Sequence, residues 1–470
     1  GVFDFTVVRE HDDLKREAKQ KGEEIHLARV HGLIYEKNHQ LPEGDPQRKY
    51  KGRGVLLGDQ VKDQNSETAL FQDLGNSPAT FDASRWADMY GCFPGHDVQM
   101  ADATQAYIQA LLTGTPCWVE LPIEAWPDNV DVSRFRRPMC RLVKALYGHP
   151  DAGTMWEQHC HEGVTKVGFV PVGTEWPSLY FHHGMKLLLV VYVDDLKLAG
   201  PKHNLAKGWE MLRSELRLEP ETPLGLYLGC RIHKSTERLH DGSEVTAVTY
   251  DMESHLGMTV DKYCEVTGLD PKSLRKVATP SVPEEAKWHP ARAPHAPGGS
   301  VHTCTWCNAA LPVDQDGRLL STTVAIGSSA QADNSNQRSK SEMDPTESGG
   351  SEEVRGALAP HAASVLMKLL YAARIARFDL LRSINNLARN VTKWTKSDDQ
   401  KLHHLMCYVH HSKQLRMVGW VGDELEDLTV GVYADADFSG CAQSLRSTSG
   451  VHMHMQGPRT RFPLAGQSKR

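Results

Sequence analysis

The chain has 470 residues, is 40% hydrophobic and 24% charged, and carries a formal net charge of −6. That length is enough for two to four domains, and no apolar run approaches the roughly 18 residues of a membrane span. The charge excludes a generally basic nucleic-acid coat but leaves room for a local basic track along phosphates. The ten cysteines stand singly except for Cys304 and Cys307, a cytosolic pattern rather than a disulfide framework. The start, Gly1-Val2-Phe3-Asp4-Phe5, has neither initiator methionine nor signal-peptide form, as expected of a fragment or processed product.

In chain order, a charged helix is predicted over 11–24, then a hairpin of strands 25–35 and 49–57 around the turn Pro42-Glu43-Gly44-Asp45-Pro46. A short strand over 97–101 leads into Asp102, and the good helix formers of 103–112 predict a helix after it. Two apolar runs, 187–191 and 196–199, predict a strand hairpin, followed by an amphipathic helix over 204–218 with Leu205, Trp209, Leu212 and Leu216 on one face. Strands over 226–232 and 245–250 and a helix over 259–267 follow. Residues 281–357 are dominated by Pro, Gly, Ser and charge and predict a largely disordered linker. Within it, Cys304-Thr305-Trp306-Cys307 is either half of a zinc site or inert linker. Helices are predicted over 362–376, 380–394 and 398–411, and a strand from Val430. His403, His404, His410 and His411 could bind metal or simply face solvent or phosphate.

The chemistry concentrates at Tyr192-Val193-Asp194-Asp195, in the turn between the two apolar runs. Adjacent carboxylates at a turn repel each other, so a purely structural turn favours Asn-Gly or Asp-Gly. Two such aspartates can instead hold hard divalent cations through oxygen. With Asp102 at a neighbouring strand end, three carboxylates reach the minimum for two-metal phosphoryl transfer. Taken alone, Asp102 reads first as a helix N-cap; the Asp194-Asp195 turn shifts the reading to a metal ligand. Basic clusters at Arg48, Lys49, Lys51 and Arg53, and at Arg134, Arg136, Arg137, Arg141 and Lys144, are candidate phosphate tracks or solvated faces.

These residues fall into collinear blocks that resemble the reverse transcriptase of copia-type LTR retrotransposon Pol polyproteins. The segment from Lys49 to Gly58 resembles the K-x-R-x-V-x-x-G fingers strand, and Asp102 to Tyr107 the first catalytic motif with its aromatic residue five positions on. Leu146 to Trp156 resembles L-Y-G-L-K-Q-A-P-x-x-W, Tyr192 to Asp195 the polymerase signature, and Tyr227 to Ile232 the F-L-G-I-x-I segment. Tyr433 to Phe438, with Arg446 to Gly450, resembles the start of an RNase H domain, S-D-A-D-W and K-S-T-S-G. The departures are His149-Pro150-Asp151 in place of L-K-Q, Gly153 in place of proline, and Phe438 in place of tryptophan.

The resemblance implies an α+β right-hand polymerase with an antiparallel palm sheet. Its parts are fingers (1–95), palm (96–200), palm completion and thumb (201–280), linker (281–357), helical connection (358–425) and a truncated RNase H-like α/β piece (426–470). It implies an RNA- and DNA-directed DNA polymerase in which Asp102, Asp194 and Asp195 hold two Mg²⁺ ions, with Mn²⁺ as a substitute. Lys51 and Arg53 would contact the incoming triphosphate, and Tyr192 the substrate. Tyr107 would exclude a 2′-hydroxyl or serve as a core aromatic, and Gly148 would let the backbone approach template or nucleotide. The partners are RNA template, DNA primer, dNTPs and other Pol and Gag products, with no membrane. The setting is a cytoplasmic virus-like particle, with the nucleus as a second location. Asp435 is the clear RNase H ligand, and no Asp or Glu follows Asp437, so hybrid cleavage is not expected of this chain. The competing reading is an inactive relic that binds nucleic acid without turnover.

Overall fold

The computed structural model describes residues 1–37, 43–46, 48–71, 77–281, 300–303, 310–313, 354–436 and 447–469. The first layer contains β1 (Phe3–Glu10), α1 (His11–Lys21), β2 (His26–Lys37) and β3 (Lys49–Leu56). The predicted N-terminal helix is present but shorter, because Gly22 takes the left-handed conformation and stops it. Strand β1 was not foreseen. It pairs with a later strand, so no local hairpin announces it. The chain then forms α2 (Phe81–Tyr90), β4 (His96–Asp102), β5 (Cys117–Glu120) and β6 (Pro138–Leu142), completing a five-stranded sheet in the order β1-β6-β5-β2-β3.

The second sheet holds the aspartates. After α3 (Ala152–Lys166) come β7 (Val170–Pro171), β8 (Leu179–His182), β9 (Leu187–Tyr192), β10 (Asp195–Pro201), α4 (Lys202–Glu215) and β11 (Thr222–Pro223). The sheet order is β11-β4-β10-β9-β8-β7, antiparallel throughout. Leu196 and Leu198 point from β10 to one side, into a core with Trp156, Trp209 and Leu212 of α3 and α4. Val98, Val190 and Ala199 belong to a separate cluster against Ala83 and Ala87 of α2. A strand buried on both faces reads as a continuous apolar run, which is how these strands stand out in the sequence.

The predicted helix over 103–112 is not formed; a single 3-10 turn, Tyr107–Gln109, stands there instead. The donors that would open such a helix are already used. Ala103 N–H donates to Asp194 O at 2.7 Å and Thr104 N–H to Arg217 O at 2.9 Å. Gln109 fastens the same segment, its side chain donating to the Thr104 and Arg217 carbonyls. Tertiary bonding overrides propensity here.

The third sheet spans distant parts of the chain. It starts with β12 (Leu226–Tyr227), β13 (Cys230–Arg238) and β14 (Glu244–Asp251), after which α5 (Glu253–Thr267) begins earlier than the predicted 259. Inside the predicted disordered linker, β15 (Ser300–Thr303) and β16 (Ala310–Val313) pair as an antiparallel hairpin. Cys304, Cys307 and most of that segment lie outside the described residues. Three helices follow: α6 (Ala359–Ile375), α7 (Leu381–Ala388) and α8 (Lys396–Ser412). The predicted helix over 380–394 ends early at Ala388, and a Thr395–Asp398 capping box starts the next.

The chain closes with β17 (Met417–Val421), β18 (Thr429–Ala436), β19 (Ser449–Gly457) and β20 (Thr460–Lys469). The order β12-β13-β14-β17-β20-β19-β18 joins the strands of 226–251 to those of 417–469 in one sheet. Among the described residues, the expected α/β piece after 426 is three antiparallel strands and one short 3-10 turn, continuous with the sheet before it. The largest core lies between this sheet and helices α5–α8. No helix among the described residues is long and apolar enough to cross a membrane.

Candidate active site

The hairpin turn consists of Val193 and Asp194, closed by the Tyr192–Asp195 pair, so Asp195 opens β10 rather than lying in the turn as expected. Val193 has φ +56°, a conformation that a β-branched residue adopts only when its surroundings enforce it. One such restraint is Trp156, buried on α3, whose indole N–H donates to the Val193 carbonyl at 2.7 Å. The tryptophan that ends the Leu146–Trp156 block thus fixes the shape of the aspartate turn.

Asp102 and Asp195 are register partners across β4 and β10. Directly opposed residues of an antiparallel pair project from the same face, so both carboxylates share one side of the sheet. Burial, then the Asp194 and Asp102 charges, push the Asp195 carboxyl up to about 7, and it shares a hydrogen bond with Asp102. Asp194 is exposed at the turn. The structure therefore brings Asp102 and Asp195 into contact, with Asp194 beside them. Among the described residues, no three His, Cys, Asp or Glu side chains stand in ready-made metal-binding geometry.

Tyr107 is half-buried next to the turn. Burial and the Asp194 charge raise its hydroxyl above the usual tyrosine range. Its ring lies 4.7 Å from that of Tyr147, and the Arg53 guanidinium lies 5.2 Å from Tyr147 and 5.5 Å from Tyr35. A cation–aromatic chain thus runs from the β2–β3 hairpin to the aspartates. Lys51 lies two residues from Arg53 on β3, hence on the same face and exposed. Tyr147, which sequence reasoning did not single out, is the middle member of this chain.

Gly148 has φ +88°, and a Cβ there would meet the Leu56 carbonyl at 2.0 Å. The partner of its close approach is strand β3 of the chain itself. Tyr192 packs its ring on Phe81 of α2, 5.9 Å away and nearly parallel. Of the loop departures, His149 is buried near Phe71, its Nδ1 accepting from the Asp151 N–H at 3.2 Å, whereas Pro150 is exposed and Asp151 and Gly153 are half-buried. Burial, with His26 adding to it, pushes the His149 imidazole down to about 4.

Beneath the pair lies a feature the sequence signals only by a lone lysine in an apolar strand. Lys197, two residues after Asp195, is fully buried and donates to Asp88 at 2.7 Å and to Ser84 at 2.8 Å, both on α2. Tyr250 of β14 donates to the other Asp88 oxygen at 2.9 Å. Arg85 on the same helix donates to Leu464 O at 2.6 Å and Ile375 O at 2.9 Å.

Several of the remaining candidates bond within the protein. Arg48 pairs with Glu36 at 2.7 Å, Arg137 with Glu120 at 2.8 Å, and Lys144 donates to the Gln109 carbonyl. His404 and His411 bond the Thr279 and Leu274 carbonyls, and His403 bonds Tyr263, fastening α8 to its neighbours. Asp435 is exposed on β18 opposite Gly450, and Asp437 lies outside the described residues.

Residues 49–251 match the family described as reverse transcriptase (RNA-dependent DNA polymerase). The chain thus resembles a reverse-transcriptase domain over somewhat less than half of its length. It is similar to the retrovirus-related Pol polyprotein from transposon RE2 of Arabidopsis thaliana, with 26% identity over 145 residues. That stretch covers 30% of this chain and 10% of the polyprotein.

Proposed function

We propose that this domain extends a DNA primer on an RNA or DNA template, as the polymerase of a copia-type retroelement, with Asp102, Asp194 and Asp195 as its catalytic carboxylates. The observation that carries the reading is the pairing of Asp102 with Asp195 on one sheet face, beside the turn bearing Asp194. Carboxylate oxygens are the donors hard divalent ions take. Burial first, then the charges of Asp194 and Asp102, raise the Asp195 carboxyl, and carboxylates crowded in this way favour a bound cation. This donor set fits Mg²⁺, with Mn²⁺ as a substitute, held by the three aspartates. Bound there, two such ions supply activation of the attacking hydroxyl and stabilisation of the leaving oxygen.

The protein's own groups orient the reactants. Arg53 and Lys51 offer cations to the triphosphate from β3, and the Tyr107 ring beside Asp194 stands against a 2′-hydroxyl. Tyr192, stacked on Phe81, fixes the base of the hairpin beneath the substrate, and Gly148 locks its loop onto β3. Fingers, palm, thumb and connection keep the chain order given above, except that β5 and β6 join the sheet of the fingers strands β1–β3, with Asp435 as a remnant of an RNase H-like segment. The partners are RNA template, DNA primer, dNTPs and other products of the element, in a cytoplasmic virus-like particle and in the nucleus. Primer extension on poly(rA)/oligo(dT) with Mg²⁺ or Mn²⁺ tests the reading. The wild-type chain extends the primer and Asp194→Asn does not. Tight template–primer binding without extension by the wild-type chain would favour a non-catalytic relic instead.

A further inference from the structure

We infer that Lys197 is a positioning residue for the carboxylate pair, acting through Asp88 and Ser84 of α2; the inference rests on the polymerase reading above. Lys197 and Asp195 are two residues apart on β10 and so project from the same face. The lysine is wholly buried, so it touches neither nucleotide nor nucleic acid. Its ammonium lies 4.1 Å from the Tyr227 ring centroid and is held by Asp88 and Ser84. Asp88 is held in turn by Tyr250. Strand β10 is therefore tied, two residues past Asp195, to a helix that is itself bonded to β14 and β20.

Backbone pairing sets the register of Asp195 against Asp102, but it does not set how far the strand end tilts toward or away from α2. The Lys197 tether supplies that restraint. An apolar residue of similar length would fill the volume and leave the tilt free. Buried ion pairs are poor sources of net stability, so a lysine at this place is better accounted for by the geometry it imposes.

The test compares Lys197→Met, Lys197→Met/Asp88→Asn and the wild type. Each is melted in urea, titrated with Mn²⁺ by electron paramagnetic resonance, and assayed for primer extension. The single variant leaves Asp88 buried without its cation and loses stability. The double variant removes both charges and regains most of that stability; it also removes the cation that acts on Asp195, a change that by itself favours a bound cation, so weaker Mn²⁺ binding reports geometry. We expect the double variant to bind Mn²⁺ about tenfold or more weakly and to lose kcat by a similar factor, with the dNTP KM nearly constant. Recovery of Mn²⁺ affinity and kcat along with stability would overturn the inference and leave Lys197 a packing residue. Mn²⁺ binding is read without turnover, so a wild-type chain that binds Mn²⁺ through Asp194 but fails to extend primers would sink the polymerase reading alone.

Discussion

Replacing Asp195 with asparagine removes the more buried carboxyl of a crowded pair while keeping its shape. The carboxyl stands at about 7 against an ordinary 3.8. A folded-state value above the unfolded one means that the native protein holds a proton the unfolded chain has released. Stability is therefore fully present below about pH 4, falls as pH rises toward 7, and is flat above it. At 1.36 kcal/mol per unit the span is about 4 kcal/mol, and partial solvent screening brings the expectation to about 2–4 kcal/mol. His149 works in the opposite direction. Its value of about 4 against 6.5 makes the native state lose stability as pH falls from 6.5 to 4, by about 3 kcal/mol. The wild-type profile is then nearly level, whereas Asp195→Asn shows the histidine slope alone. Urea melts in EDTA from pH 4.5 to 8 measure this. Asp195→Asn should match the wild type at the acid end and exceed it at pH 8. Parallel profiles would refute the reading that burial and the neighbouring aspartates raise the Asp195 carboxyl.

In the Asp195→Asn background, adding His149→Gln should flatten the remaining acid slope, read from the same melts. Gly148→Ala should cost about 2–4 kcal/mol with or without nucleotide, since the added methyl meets the Leu56 carbonyl; a loss seen only in nucleotide binding would contradict this. Trp156→Phe removes the bond to the Val193 carbonyl and should cost about 1 kcal/mol, with a drop in primer extension larger than the stability loss explains. Tyr107→Ala should raise ribonucleotide incorporation more than it lowers dNTP use; unchanged discrimination in an active variant would return Tyr107 to the core.

The hairpin carrying Asp194 and Asp195 was legible because Leu187–Val191 is apolar on both phases and Leu196–Ala199 is apolar but for Lys197, the pattern of strands covered on both faces. The position of Asp194 in a tight turn was legible for the same reason. The irregular path after Asp102 was not, because 103–112 has the composition of a helix. What cancels the helix is backbone bonding to Asp194 and Arg217, far away in sequence. Strands β1, β5 and β17 find partners remote from them in the chain, and β5 and β17 are also short. Helix α2 also went unread. Its Thr80 cap and the polar Ser84, Arg85 and Asp88 look like a solvent face, and only the lysine at 197 hints that these groups are buried. The Arg53–Tyr147–Tyr107 chain joins residues that periodicity cannot relate, since each lies on a different element.

The seven-stranded sheet also bears on how the chain is made. Hydrogen bonds join β14, which ends at Asp251, to β17, which starts at Met417, and Arg85 reaches the carbonyl of Leu464. During synthesis the aspartate-bearing strands leave the ribosome long before the strands that finish the surroundings of α2. At about 5–20 residues per second, a nascent chain waits on the order of ten seconds or more with Arg85 and the β14 edge unpartnered. That interval is when a chaperone, or pairing with another nascent chain, would compete with the native sheet.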